Sequence, residues 1–179
     1  MNRLQLCTPD TPVLVAVEVG VWRGDFSAAM INHLKPAVFF AVDPYELFEG
    51  MVSAPGPEFT NQRTLDKLAE QVQNRMSSLG HNLIRKKSVD AAEEFKNNSI
   101  DVVYIDGDHT YGGVKADIGA WWPKVKPGGI LAGHDYCTGK TGLGYEYGVI
   151  EAVQEFANAE GLDIETSTDY PPSWKLIKE

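Results

Sequence analysis

No stretch of this chain approaches the ~20 consecutive apolar residues of a membrane span, and its first residues do not pass from basic to apolar as a secretory leader does. That pattern excludes a membrane partner and makes the cytoplasm the expected address. Cysteine is scarce. Cys7 and Cys137 are too few for a disulfide framework and read as free thiols in a reducing compartment. Positive charge is in deficit as well: 16 Lys and Arg stand against 25 Asp and Glu, a formal charge of -9. A field of that sign repels a phosphate backbone and argues against nucleic acid as partner or substrate. The basic cluster Arg85, Lys86 and Lys87 reads as the solvated end of a strand. Repeats, low-complexity tracts and dividing linkers are missing too, so residues 1–179 are read as a single domain.

What the chain does contain is an alternation of apolar runs with helix-period segments, the pattern of a parallel sheet covered on both faces. Strands are expected over residues 13–20, 38–42, 82–86, 100–105 and 130–132. Helices are expected over 25–34, from Thr64 to a stop at Gly80, around 91–96 and over 111–125, with a turn at 126–129. A further amphipathic helix carries Val149, Ile150, Val153, Phe156 and Ala157. Two short strands near 162–166 and 173–177, separated by Asp169-Tyr170-Pro171-Pro172, form an antiparallel edge hairpin. The expected architecture is therefore a three-layer α/β sandwich with a seven-stranded, mostly parallel sheet. Residues 44–60, rich in proline and glycine, read as a lid-like loop. Residues 134–148 read as a glycine-rich loop beside the site. In such a sheet ligands bind outside the carboxyl ends of the strands, where the strand order reverses.

The candidate site residues all fall at such ends. Glu18-Val-Gly20-Val-Trp22-Arg-Gly24 follows the first strand and opens a helix. Glycine at 20 and 24 permits a sharp turn and close backbone approach to a ligand, and the helix presents unpaired N–H groups. Asp43 ends the next strand, where a carboxylate can accept hydrogen bonds from both ribose hydroxyls. A dinucleotide site wants glycine where Trp22 stands, because its pyrophosphate rests on the helix N-terminus. A cofactor with an amino-acid tail tolerates Trp22 better, and Glu18 can hold its ammonium group. This favours S-adenosylmethionine over NAD. Ser88 and Val89 are placed beside an adenine ring, although Ser88 also suits a helix N-cap.

Val-Glu-Val-Gly-Val-Trp-Arg-Gly-Asp-Phe-Ser resembles the first motif of class I S-adenosylmethionine-dependent methyltransferases, and Ala-Val-Asp-Pro-Tyr resembles their second. Residues 100–136 are similar to a small-molecule subgroup known as methyltransferase domain 24, akin to sugar and macrolide O-methyltransferases. The resemblance implies a Rossmann-like fold. It places Glu18, Gly20 and Gly24 at the methionine end, Asp43 at the ribose and Ser88-Val89 at the adenine, with Asp106 where the active site begins. It also implies a small-molecule acceptor, with a hydroxyl as the methylated group. The chain departs from the commonest first motif at Trp22.

Methyl transfer from a sulfonium is an in-line displacement that mainly requires alignment, and it gains from removal of the acceptor's proton. Asp106-Gly-Asp108-His109 and His134-Asp135 follow neighbouring strands and can face each other. In one reading Asp106 and Asp135, with His134 or Asp108, bind Mg²⁺. In the other, His109 or His134 is a metal-free base oriented by a carboxylate. Blander roles compete: Asp108 as a helix cap, His33 and His81 as surface residues, one of Trp121 and Trp122 as core. Tyr111, Tyr136 and Tyr145 suit either an acceptor site or scaffold. A nicotinamide-dependent oxidoreductase or a non-catalytic nucleotide-binding module fits the same layers. The exposed edges of such a sheet are compatible with a homodimer.

Overall fold

The computed structural model describes residues 1–47, 61–141, 144 and 146–179. Among them a seven-stranded sheet runs in the order β3-β2-β1-β4-β5-β7-β6. Its strands are β1 (Val15–Val19), β2 (Val38–Val42), β3 (Asn82–Ile84), β4 (Ile100–Ile105), β5 (Val125–Gly133), β6 (Glu165–Thr166) and β7 (Trp174–Ile177). The first five pair in parallel, and β7 pairs antiparallel with both β5 and β6. The expected closing hairpin is present. Its β6 is shorter than the 162–166 run, since only Glu165 and Thr166 find backbone partners on β7.

Period-2 alternation sorts the strand residues between two apolar layers. Ala16, Phe39, Ala41, Val102 and Tyr104 pack against α2 (Asp25–Leu34) and α3 (Gln62–Ser78), through Phe26, Met30, Leu65, Ala69, Val72 and Met76. Val17, Val19, Val103, Ile105 and Leu131 face the other way. They meet α4 (Ser88–Ala92), α5 (Tyr111–Trp121) and α6 (Val149–Glu160) through Ala91, Val114, Ile118, Trp121, Val149 and Val153. The amphipathic segment at 149–157 is α6, and its Val149, Val153 and Ala157 are buried.

The helix expected around 91–96 forms earlier in the chain, as α4 over Ser88–Ala92, and two further expectations change. Residues 126–129 do not form a turn after a long helix. α5 stops at Trp121, a 3₁₀ turn occupies Trp122–Lys124, and β5 begins at Val125. Lys126-Pro127-Gly128-Gly129 therefore lies inside β5, where its pairing with β4 shifts register. Gly128, at φ 76°, takes the left-handed backbone that this irregularity needs. The second change is an additional helix, α1 (Arg3–Leu6), which packs on the α2 side of the sheet. It is secured by a capping box in which Asn2 accepts from the Gln5 amide and Gln5 accepts from the Asn2 amide.

Asp101 ties the entry of the sheet together. Its Oδ2 accepts from the Leu14 and Val15 amides at 2.9 and 2.7 Å, and its Oδ1 lies 2.6 Å from Lys126 Nζ. Burial pushes its carboxyl pKa up, but Lys126 and the two amides outweigh burial and hold it below the usual range. A carboxyl depressed in this way contributes stability above its unfolded pKa of ~3.9 and loses it as pH falls through the folded value. We predict that Asp101→Ala costs about 1–3 kcal/mol at neutral pH by leaving buried amides without an acceptor. In urea unfolding followed from pH 7 to 3, the gap between wild type and variant narrows below pH ~4.

Candidate functional site

The chain leaves β1 for α2 on one face and leaves β4 for α5 on the other. A cleft of about 1050 Å³ opens between these two exits. That is at the upper end of the ~300–1000 Å³ usual for small ligands, room for a cofactor and a second reactant. Glu18, Gly20, Trp22, Asp43, Ser88, Val89, Asp106 and His109 all line it.

The glycine turn forms as expected, with a different physical cause. A Cβ on Gly20 would lie 2.1 Å from the Asp106 carbonyl oxygen and 2.6 Å from Gly107 Cα. Gly20 is thus required by the protein's own backbone at the end of β4, as much as by any ligand. Gly24 has φ 72° and precedes α2, with its missing Cβ facing Val72 and Met76 of α3; it does not line the cleft. Trp22 also takes positive φ, at 53°, so the backbone at the dinucleotide-type glycine position is left-handed but carries an indole. Its carbonyl accepts from the Tyr45 hydroxyl at 2.8 Å.

Asp43 lies beside the turn, as a shared ligand would require. Its Oδ2 accepts from the Val21 and Trp22 amides at 2.9 and 3.2 Å, and its Oδ1 from the Tyr45 amide at 2.8 Å. A carboxylate offers about four acceptor positions. Three are therefore taken, and a ribose hydroxyl finds one open; gripping both hydroxyls requires release of an amide. Glu18 is 1% exposed and accepts from the Ser27 hydroxyl of α2. Burial raises its pKa well above the carboxylate range, Ser27 opposes this, and Asp106 adds to it. A buried carboxyl whose ionisation burial opposes, set in a ligand cleft, is suited to pairing with a cation.

At the opposite end, Ser88 is the first residue of α4 rather than its cap; Lys87 holds the cap position without a side-chain bond. The Ser88 hydroxyl turns inward and accepts from Trp121 Nε1 at 2.9 Å. Trp121 is wholly buried, whereas Trp122 is half-buried against Phe156. Asp117 lines the cleft and was not anticipated, although it shares the buried stripe of Val114, Ile118 and Trp121. Burial pushes its pKa up to about 6, against the Ser88 hydrogen bond. Val89, at 43% exposed, is free to meet a ring.

The candidate catalytic acids and histidines meet where β4 and β5 end. Asp135, at φ 53° and 7% exposed, sits between two imidazoles. Its Oδ2 is 3.3 Å from His109 Nδ1 and its Oδ1 is 3.3 Å from His134 Nδ1. His134 Nδ1 also lies 3.7 Å from Asp106 Oδ1. Burial opposes charge on both partners. Even so, the His134 hydrogen bond and the charges of His134 and His109 hold Asp135 low, while Asp135 and Asp106 raise His134. Burial raises Asp106, with His134 and His109 acting against it. Of the four, Asp106 and His109 line the cleft; His134 and Asp135 stand behind them. Among the described residues, Asp106, His134 and Asp135 are the group able to offer three ligand atoms within 4.8 Å to a metal.

Asp108 accepts from the Thr110 amide at 2.9 Å, while Thr110 itself caps α5, so the capping role is shared. His33 is exposed beside Thr8, but His81 is scaffold, its Nδ1 accepting from the Phe39 amide at 3.2 Å. Tyr145 and most of the lid-like loop 44–60 lie outside the described residues. In the 134–148 loop, an antiparallel bridge joins Lys140 to Glu146, and Tyr147 and Thr141 line the cleft. Tyr147 stacks at a tilt on His109, 5.8 Å between rings. Tyr111 bonds Glu155 at the surface, and the Tyr136 amide donates to Pro172, so neither is placed at the cleft. Ser88→Ala leaves the buried Trp121 Nε1–H without its partner and is predicted to lower stability by about 1–3 kcal/mol in urea unfolding. It also raises the Asp117 pKa further in a carboxyl NMR titration, because Ser88 acts to lower it.

The chain is 36% identical over 62 residues to the uncharacterized protein y4gI of Sinorhizobium fredii, a match that takes 35% of this chain. The chain spans 7% of that curated relative's length. An O-methyltransferase family protein from Burkholderia thailandensis superposes with a TM-score of 0.64 at 15% identity, covering 93% of this chain and 51% of that one. The S-adenosylhomocysteine-bound Podospora anserina methyltransferase PaMTH1 gives 0.59 at 9% identity, covering 92% and 71%. At these identities the two structures establish the fold. Residues 17–136 match the family described as Methyltransferase domain, and the chain belongs to that family.

Proposed function

We propose that this chain binds S-adenosylmethionine in the cleft and transfers its methyl group to a hydroxyl of a small molecule. The observation that carries the reading is the joining of Asp43 to the glycine turn by hydrogen bonds, at the wall of the cleft that His109 also lines. In that arrangement the nucleoside lies from Ser88-Val89 to Asp43, and the amino-acid tail reaches Glu18. Family membership and the fold shared with methyltransferases support the same cofactor. The formal charge of -9 favours a cationic cofactor and a small acceptor over a nucleic acid.

His109 is the proton acceptor in this reading. With Nδ1–H donated to Asp135, Nε2 carries the lone pair. Bound S-adenosylmethionine would supply the methyl group: its carbon–sulfur bond would give way to the new oxygen–carbon bond, the electron pair staying on a neutral thioether. The hydroxyl proton passes to His109 Nε2. Asp135, shared by two rings, sets the tautomer and stabilises the imidazolium. A second reading places a divalent cation on Asp106, His134 and Asp135, favoured by their convergence. One imidazole among two carboxylates suits Mn²⁺ better than Mg²⁺, which prefers an all-oxygen octahedron. Such an ion would lower the acceptor's pKa.

Two outcomes are predicted. S-adenosylhomocysteine binds in calorimetry, more tightly as pH rises, because its ammonium displaces the Glu18 proton; buffers of different ionisation enthalpy reveal that release, and Glu18→Gln abolishes it. Absence of binding at millimolar ligand ends the reading. In turnover assays, His109→Gln lowers kcat by about 10²–10⁴-fold with little change in S-adenosylhomocysteine affinity. Full activity after chelation supports the base; loss restored by Mn²⁺ or Mg²⁺ supports the metal.

A further inference from the structure

Arg3 is the first residue of α1 and lines the cleft. Its guanidinium carbon stands 3.9 Å from the centroid of the Phe26 ring, and Phe26 packs on Tyr104 at 4.6 Å. The backbone of Arg3 is fixed on both sides: its amide donates to Asp169 at 3.1 Å, and its carbonyl accepts from Cys7. The side-chain cation is different. Among the described residues it has no hydrogen-bond or ion-pair partner, although Lys115, Lys126, Lys175, Arg75 and Arg85 each find a carboxylate. A half-buried arginine that stacks on an aromatic face and leaves its five donors unused is preorganised for a planar anion.

Its place decides which anion. Phe26 lies in the first turn of α2, directly after the glycine turn. Glu18 bonds Ser27 on that same turn, so Arg3 and Glu18 act on one region of the cleft. The charge of Arg3 reaches Glu18, yet the two form no ion pair. An α-amino acid carries an ammonium and a carboxylate on one carbon. A carboxyl for the first and an unpaired guanidinium for the second, lining one cleft, are what such a zwitterion requires. The acceptor side, marked by His109 and Tyr147, is built from the loops after β4 and β5 instead.

We infer that Arg3 binds the α-carboxylate of the cofactor's amino-acid tail, forming with Glu18 a clamp for both charges of that tail. The inference rests on the S-adenosylmethionine reading and adds to it a residue from the N-terminal helix. It makes affinity depend on the tail as well as on the nucleoside.

The test is calorimetry on the whole chain with three ligands that share one nucleoside. S-adenosylhomocysteine has the full tail, its decarboxylated analogue keeps only the amine, and 5′-methylthioadenosine has neither charge. Wild type is expected to prefer S-adenosylhomocysteine over the decarboxylated analogue by about 10–100-fold. Arg3→Gln removes that preference by weakening S-adenosylhomocysteine alone, while the other two ligands change by less than about two-fold. Arg3→Lys restores part of it. Equal weakening of all three ligands by Arg3→Gln, or of none, overturns the assignment; so does a rise confined to the acceptor's KM, which would mark an acceptor carboxylate. If Arg3→Gln does not fold, wild type decides: no preference between the two tailed ligands overturns the assignment. Failure of wild type to bind any of the three overturns the cofactor reading itself, a result distinct from binding all three alike.

Discussion

The contact on which this structure depends is the close approach of two backbone turns, Gly20 after β1 and Asp106-Gly107 after β4. The Asp106 amide donates to the Val19 carbonyl at 2.7 Å, and no side chain fits between the strands' exits. With the turns locked together, the chain can only diverge, from β1 to one face of the sheet and from β4 to the other. The cleft is the space left by that divergence. Each group that borders it inherits its position from the contact: Glu18 and Gly20 on one side, Asp106 and His109 on the other, Asp43 from the next strand over.

The electrostatics follow from the same crowding. Packing several strand ends together brings Glu18, Asp106 and Asp135 into one buried region, where like charges and desolvation favour neutral carboxyls. The protein answers these acids in different ways. Asp135 is held low between two imidazoles, while burial raises Glu18 against its Ser27 hydrogen bond and raises Asp106 as well. A cation entering such a site meets carboxyls whose ionisation burial opposes. In the proposed reading His109, on the loop after β4, is the proton acceptor close by.

Much of this was legible in the residues. Glycines at 20 and 24, an acid at 43 and paired acid–histidine clusters after two β-branched runs mark strand ends, because those residue types suit little else at such spacing. What resisted was set by tertiary contacts. Proline and two glycines at 127–129 read as a turn because a bulge inside a parallel strand uses the same residues. Ser88 looked like a cap because a hydroxyl at a helix start suits one, while the indole that claims it is 33 residues away. Asp117 was visible in principle as a charge on an apolar stripe. Arg3 was not, although Asn2 and Gln5 spelled a capping box; only the folded chain brings α1 to Phe26.

The central claim is that one adenosine-bearing ligand spans the glycine turn and Asp43. A crystal structure with S-adenosylhomocysteine tests it most directly. The account predicts ribose density at Asp43, with a hydroxyl at the carboxylate's open acceptor position, and the amino group at Glu18. Density that leaves all three amide bonds of Asp43 in place with the ribose elsewhere would contradict it.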